Sequence, residues 1–246
     1  MKLGAIMFRL RMWVEVVIVF LGFWAPWTGA FDPGRRVSTL AWLALEISRT
    51  GLVRFAYATP IVIAAGALSA AAGAIFRVWG AAYLGYATVH HAEMQAGILM
   101  VVGPYRYVRN PLYLGGWFMT LAVSLLMPPS GALFVIALMA YFFLRTILSE
   151  EVFLTDKLGE PYREYLRAVP RLLPRLRANP PAVAARPHWL VALLTELNAI
   201  GILVTLAVLS WTYDNLLMIK AVIIVFGVSL IVKAFVPRRE VNTENA

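Results

Sequence analysis

Apolar residues along this chain fall into long unbroken runs, not into the alternating or three-four spacing of half-buried strands and surface helices. The runs are Leu10 to Trp27, Phe55 to Phe76, Leu112 to Met127, Ala132 to Leu148, Trp189 to Ser210 and Leu216 to Val236. A helix rises ~1.5 Å per residue, so an ~30 Å hydrocarbon layer takes about 20 residues to cross. The pattern therefore predicts about six transmembrane helices, the third and fourth slightly short. Pro128-Pro129-Ser130-Gly131 turns the chain between those two, which predicts a tight helical hairpin with an uncharged tip. From Ser38 to Arg49, Leu40, Leu43, Leu45 and Ile47 are set against Glu46 and Arg49, as in a short interfacial amphipathic helix. The last residues, Glu240 to Ala246, are polar and predicted to fray.

Composition sharpens this picture. The 246 residues are 61% hydrophobic and 14% charged, with mean hydropathy +0.75. A soluble domain carries about 45–50% apolar and about 25% charged residues. The expected fold class is all-α: a polytopic membrane helical bundle with a hairpin and a cytosol-facing cofactor pocket. Net charge is +9, but the basic residues flank the apolar runs, which suits contact with anionic lipid. No basic face stands free of the membrane, so no nucleic acid is expected as partner. With the N-terminus inside, 17 of the 22 lysines and arginines fall on the cytoplasmic side and 5 on the outer side. That asymmetry predicts N-in, C-in topology. The expected location is a multi-pass one in a bacterial inner membrane, with the active site facing the cytoplasm. Lys2 to Ala30 also has the form of a signal peptide ending at Thr28-Gly29-Ala30, though its apolar run is long and holds Glu15.

Several chemistries lack their signatures. With no cysteine, disulfides, thiolate nucleophiles and cysteine-bound metals are excluded. G-x-G-x-x-G, the P-loop, H-E-x-x-H and G-x-S-x-G are all missing. His90 and His91 are neighbours, and neighbouring helix positions do not share a face, so they do not make a metal site. No metal is expected.

What remains is Gly103 to Gly116, GPYRYVRNPLYLGG, and a second polar knot at Ser149-Glu150-Glu151. Ionisable clusters beside membrane helices mark functional sites unless they are structural ion pairs within an aromatic belt. Pro111 biases Asn110 away from helix and suits the first helical position. The open N–H groups of that helix start form an anion site, to which Arg109 adds a bidentate cation. Gly115 and Gly116 admit close approach of another backbone or a flat ligand. The hairpin should carry Arg145, Glu150 and Glu151 back beside Arg109. Such a pocket holds both charge signs and aromatic walls, and suits a zwitterionic cofactor with a flat base. In the fifth run, Glu196 and Asn198 are intramembrane polar residues, expected to pair with Lys220 or Lys233 or to line the substrate's way in. Small residues from Ala64 to Gly73 on the second run suit close helix packing.

These residues resemble the catalytic core of the isoprenylcysteine carboxyl methyltransferases and the related phospholipid methyltransferases. Gly103, Tyr105, Arg109, Pro111, Tyr113 and Gly115 are similar to the family's first stretch. Glu150-Glu151, Gly159, Tyr162, Tyr165, Val169-Pro170 and Pro174 follow in family order, and Arg77, Trp79, Leu84 and Gly85 precede it. The resemblance spans Arg77 to Pro174. It implies an integral membrane enzyme that uses S-adenosylmethionine. Ile98, Leu99, Met100, Tyr105, Asn110, Pro111, Leu112, Tyr113 and Glu150 would contact the cofactor. Arg109, Glu151 and Arg145 would carry the chemistry, with Arg109 at the transfer centre. The expected layout is residues 1–76 as N-terminal helices, 77–177 as methyltransferase-like core and 178–246 as a C-terminal pair. Two positions depart from the family: its histidine is Asn110 here, and a second histidine aligns with Gly97.

The expected activity is methyl transfer to a lipid-like or isoprenylcysteine-type carboxylate, held by a cation. An amine of a phospholipid is the alternative acceptor, with Glu150 or Glu151 taking the proton. A sterol-reductase-like enzyme using NADPH and a non-catalytic membrane scaffold are further alternatives. Expected partners are the bilayer and a membrane lipid or prenylated, lipophilic small molecule.

Overall fold

A computed structural model describes residues 2–27, 36–90, 102–178 and 186–236, with side chains for 11–27, 36–84, 102–178 and 186–236 apart from 209. Among the described residues the chain is helical and has no strand. The elements are α1 (Lys2–Trp24), α2 (Thr39–Arg49), α3 (Phe55–His90), a 3-10 turn (Gly103–Arg106), α4 (Pro111–Ser124) and α5 (Pro129–Leu158). They continue with α6 (Glu160–Ala168), α7 (Trp189–Thr195), α8 (Leu197–Val208), a second 3-10 turn (Leu209–Thr212) and α9 (Asn215–Phe235).

The sequence sets most of the helix ends. Ser38 caps α2 by accepting from the Ala41 N–H at 3.3 Å, and Asp214 caps α9 by accepting from Leu217 at 2.9 Å. Pro111 and Pro129 start α4 and α5, where a missing N–H costs nothing and a fixed φ helps. Gly159, at φ 66°, ends α5 and starts α6.

Among the described residues three helices are long and apolar enough to cross a membrane: Phe55–Leu84 of α3, Pro129–Leu158 and Asn215–Phe235. The α7–α8 pair makes a fourth if counted as one broken span. These helices mark the chain as an integral membrane protein. Large apolar side chains such as Leu68, Ile75, Leu133 and Ile223 lie exposed on them, as expected where lipid is the solvent.

The hairpin expected after Leu112 is present as α4 and α5. At 14 residues α4 is shorter than the run that predicted it. Two other boundaries differ from the sequence reading, and both matter for the site. Helix α3 does not stop at Phe76 but runs on to His90, so Arg77 is a helix residue inside the bundle and not a loop residue. The fifth apolar run is not one helix: it breaks at Glu196, and α7 and α8 meet at a bend of 68°. The Glu196 carbonyl still accepts from Ala199 at 2.9 Å and Ile200 at 3.1 Å, so the helix restarts at once in the new direction.

The tightest crossing joins α3 to α4. A Cβ on Gly115 would lie 2.8 Å from the Gly73 carbonyl oxygen and 2.6 Å from Arg77 Cγ, so only glycine lets the two backbones meet. Ser69 Oγ donates to the Phe118 carbonyl at 2.9 Å, and Phe76 stacks on Phe118 at 6.2 Å. Below this crossing Ile18, Ala70, Met119, Val123, Phe142 and Leu206 close a single apolar core from five helices. The polar residues of the next subsection stand where α4 begins and α5 ends.

Candidate functional site

The site is built on a strained turn. Gly103 has φ 48°, and the Tyr83 ring packs so closely that a Cβ there would lie 2.4 Å from the ring. Glycine is required on both counts. The turn then buries Tyr105, whose carbonyl accepts from the Tyr165 hydroxyl at 2.9 Å. Asn110 has extended φ and precedes Pro111, and its side chain makes no cap bond to α4. It donates instead to the Arg171 carbonyl at 3.2 Å.

That bond belongs to a strap. After α6 the chain returns across the start of α4. The Arg109 N–H donates to the Pro170 carbonyl at 2.9 Å, and the Arg175 N–H to the Tyr107 carbonyl at 3.0 Å. Arg171 grips the Glu151 carboxylate side-on, with Nε to Oε1 at 3.1 Å and Nη2 to Oε2 at 2.7 Å. Arg109 Nη2 meets the same carboxylate at 3.0 Å, with side-chain exposures of 9% and 10% for the pair. Arg109 Nη1 also donates to the Leu166 carbonyl. Glu151 therefore ties α5, the α4 start and the strap through two guanidiniums.

Glu150 stands apart from that cluster. It accepts from the Tyr113 hydroxyl at 2.7 Å and meets Arg11 of α1 at 3.7 Å. Tyr113 is set by an edge contact with Phe143 at 5.7 Å. Two buried polar atoms near these groups have no partner: Tyr105 Oη and Arg109 Nε.

The tyrosines under the strap stay neutral far into alkali. Burial, then the neighbouring Tyr165 and Glu150, push the Tyr105 phenol well above its ordinary value. Burial and Glu151 raise Tyr162, and burial and Tyr162 raise Tyr165. Hydrogen bonding to Glu151 raises Arg171 further.

The structure thus brings together Tyr105, Arg109, Asn110, Pro111, Tyr113, Glu150 and Glu151 of the residues singled out in the sequence. Leu112 packs on Gly80 of α3 at the same end. Arg145 is exposed on α5 and forms no ion pair with a described residue. The second cation on Glu151 is Arg171, which sequence reading passed over. Its only signal was its place directly after Val169-Pro170. Ile98, Leu99 and Met100, with Gly97 and His91, lie outside the described residues.

A second charged group lies deeper along α3. Arg77 holds Glu196 side-on, Nε to Oε2 at 2.6 Å and Nη2 to Oε1 at 3.2 Å. The side-on partner of Glu196 is thus Arg77, with Lys233, one of the two lysines expected from sequence, within electrostatic reach. Those lysines sit on α9, whereas α3 packs directly on the α7–α8 break. Glu15 of α1 lies within electrostatic reach of Arg77, Glu196, Arg11 and Lys233. No group of three or more metal-ligating side chains occurs among the described residues.

A family model described as phospholipid methyltransferase (PEMT) matches residues 61–160. The matched stretch runs from within α3, through Tyr105 to Tyr113, to both glutamates of α5, and so takes in most of the cluster described above. Arg171 and Glu196 lie beyond the matched stretch. No curated protein and no solved structure matches the chain.

Proposed function

We propose that this protein is an integral membrane methyltransferase that takes its methyl group from S-adenosylmethionine and passes it to a lipid-like acceptor. The observation that carries the reading is the Tyr113–Glu150 pair, 2.7 Å apart, beside the Arg109–Glu151–Arg171 cluster and inside the matched segment. The residues fit the cofactor. The orphan Tyr105 hydroxyl and Arg109 Nε offer unspent hydrogen bonds, the α4 start has no side-chain cap, and Glu150 can receive an ammonium. Tyr105, Asn110, Pro111, Leu112, Tyr113 and Glu150 would hold it, with Ile98 to Met100 as further contacts. The cofactor supplies a methyl already activated on a sulfonium, so alignment and exclusion of water are what the protein adds. The strap supplies both, because Arg171 and Arg109 close over the carboxylate of Glu151.

Orientation follows from the basic asymmetry: N-in and C-in, about six spans, with this end of the bundle in the cytoplasm. Reporter fusions after Pro129 and Asp214 should read the outer side and one after Arg177 the cytoplasm. A periplasmic signal at Arg177 would sink the cofactor assignment.

Two acceptor chemistries remain in play. A carboxylate, as in an isoprenylcysteine, needs a cation and no base. A phospholipid amine must lose a proton as it gains the methyl, and Glu150 is the base nearest the cofactor residues. That second reading is favoured by Arg109, whose guanidinium is already engaged by Glu151 and a carbonyl. The test is binding of S-adenosylmethionine against NADPH to detergent-purified protein, followed by methyl transfer to each acceptor. Binding of NADPH alone would move the protein to the reductase class.

A further inference from the structure

The acceptor needs a place for its own charge, and at the Glu151 cluster the unpartnered nitrogen of Arg109, Nε, is sealed from solvent. Arg109 has side-chain exposure of 9% and is held at two nitrogens. Arg77 differs. Its Nε and Nη2 face Glu196, while Nη1 makes no bond to any described residue and is not sealed from solvent. The side chain is 29% exposed, against 10% for Glu196.

The direction of that free nitrogen is set by the glycine pair. Arg77 Cγ passes over Gly115, and Nη1 arrives 3.7 Å from where a Cβ of Gly116 would stand. The Phe143 ring is the other neighbour at Gly116, 3.2 Å from the same point. Phe143 in turn sets Tyr113, whose hydroxyl binds Glu150. The free edge of Arg77 is therefore one aromatic ring away from the cofactor residues, on the side of the bundle interior. Glu15 lies within electrostatic reach of Arg77, and Lys233 within reach of Glu15 and Glu196. Beside the helix break, Asn198 presents a buried amide oxygen with no partner.

We infer that Arg77, held from behind by Glu196, receives the anionic oxygen of a membrane-borne acceptor, a phosphodiester or carboxylate, and so presents its methyl-accepting atom to the Tyr113–Glu150 site. The inference rests on the methyltransferase reading for its function but not for its binding step. An uncompensated charge at this depth is costly, so the pair must be stable without ligand and yet leave one edge open. Side-on pairing does that: two donors go to Glu196 and the third to the acceptor. The break at Glu196 allows it, because a continuous helix would carry the carboxylate past Arg77.

The test uses full-length protein in detergent and the variant R77Q/E196Q, which removes both charges while keeping amide partners for each other. R77K is the second variant, retaining charge without the fork. Retention of phosphatidylethanolamine and of a farnesylated cysteine analogue is read by native mass spectrometry, and steady-state methyl transfer to each is measured alongside. The expected result is an acceptor KM raised about tenfold or more in R77Q/E196Q, with S-adenosylmethionine affinity within about twofold of wild type and R77K intermediate. Loss with one amphiphile only identifies the anion as phosphate or carboxylate. Unchanged retention and KM for both would overturn the inference, as would an equal fall in cofactor affinity, which marks a structural pair. If wild type transfers methyl to neither acceptor, the methyltransferase reading fails, while the retention comparison still decides the role of Arg77.

Discussion

Two of the arginine–glutamate pairs in this bundle, Arg109–Glu151 and Arg77–Glu196, are put to opposite uses. Arg109–Glu151 joins the start of α4 to the end of α5 and is buried beneath a second guanidinium from Arg171, a backbone carbonyl and the strap, with Arg109 Nε unpartnered but shut off from solvent. Arg77–Glu196 joins α3 to a helix break, has one partner on each side and keeps a guanidinium nitrogen open. The first has the form of a clasp and the second of a receptor. A buried ion pair gains little stability over an apolar contact but is costly to break. Each arginine keeps one nitrogen unpartnered among the described residues, and what distinguishes the two is that Arg109 Nε is sealed from solvent whereas the Arg77 side chain is 29% exposed.

The largest effect should separate them directly. Glu151→Ala strands Arg109 at 9% exposure and unties Arg171, and with it the strap, from α5, so a loss of about 3–5 kcal/mol is expected. Glu196→Ala strands Arg77, whose side chain is 29% exposed, and should cost less. Thermal unfolding of both variants in the same detergent decides the order. A larger loss for Glu196→Ala would make the inner pair the clasp and reverse the comparison.

Much of this was legible in the chain, and the part that was not has a common cause. The long apolar runs, Pro111 and Pro129 at helix starts, and the caps Ser38 and Asp214 act through neighbours in sequence, so they can be read there. The Gly115-Gly116 step announced a close approach, but not that α3 and the Arg77 side chain are what approach. Arg171 on Glu151 and Arg77 on Glu196 are pairings across 20 and 119 positions, and only the packing of helices brings them together. Glu196 inside an apolar run did flag its own importance. Its effect on the helix axis and its side-on pairing with Arg77 depended on α3 extending past Phe76.

Alkali should attack the clasp and spare the receptor. Tyr105, Tyr162 and Tyr165 lie under the strap with their phenols held neutral above the ordinary range, chiefly by burial. In the unfolded chain each ionises near 10. Their contribution is therefore complete below about pH 10 and is lost as pH rises above it, by about 1.4 kcal/mol per phenol for each pH unit. Unfolding curves from pH 9 to 11, with absorbance at 295 nm, measure this. Tyr162→Phe should flatten the alkaline limb, and an unchanged limb would remove that phenol from the account.

Cofactor affinity gives a smaller but more specific contrast. Tyr113→Ala and Glu150→Ala should each weaken S-adenosylmethionine binding by ~1–3 kcal/mol, the range for a hydrogen bond to a charged group. Glu196→Gln should leave it within about twofold, since the inner pair faces the acceptor. Calorimetry on the three variants tests both statements. If Tyr113→Ala and Glu150→Ala bind as wild type does, the outer site returns to a purely structural role.

The smallest effect concerns Asn110, where the resembling family has histidine. Its side chain makes a single bond, Nδ2 to the Arg171 carbonyl at 3.2 Å, and does not cap α4. Asn110→Ala removes one neutral hydrogen bond, worth about 1 kcal/mol of stability, and loosens the strap without disturbing either ion pair. The more telling variant is Asn110→His. An amide carries no charge at any ordinary pH, so wild-type cofactor affinity should show no inflection near neutrality from this position. An imidazole there titrates around 6.5, and its cation would stand beside Arg109 and Arg171. Like charges push the imidazole toward its neutral form. Affinity measured from pH 5.5 to 8 should therefore gain an acid limb only in Asn110→His, with its midpoint below 6.5. The same limb in wild type would show that another group titrates at the site and that Asn110 does not account for its pH behaviour.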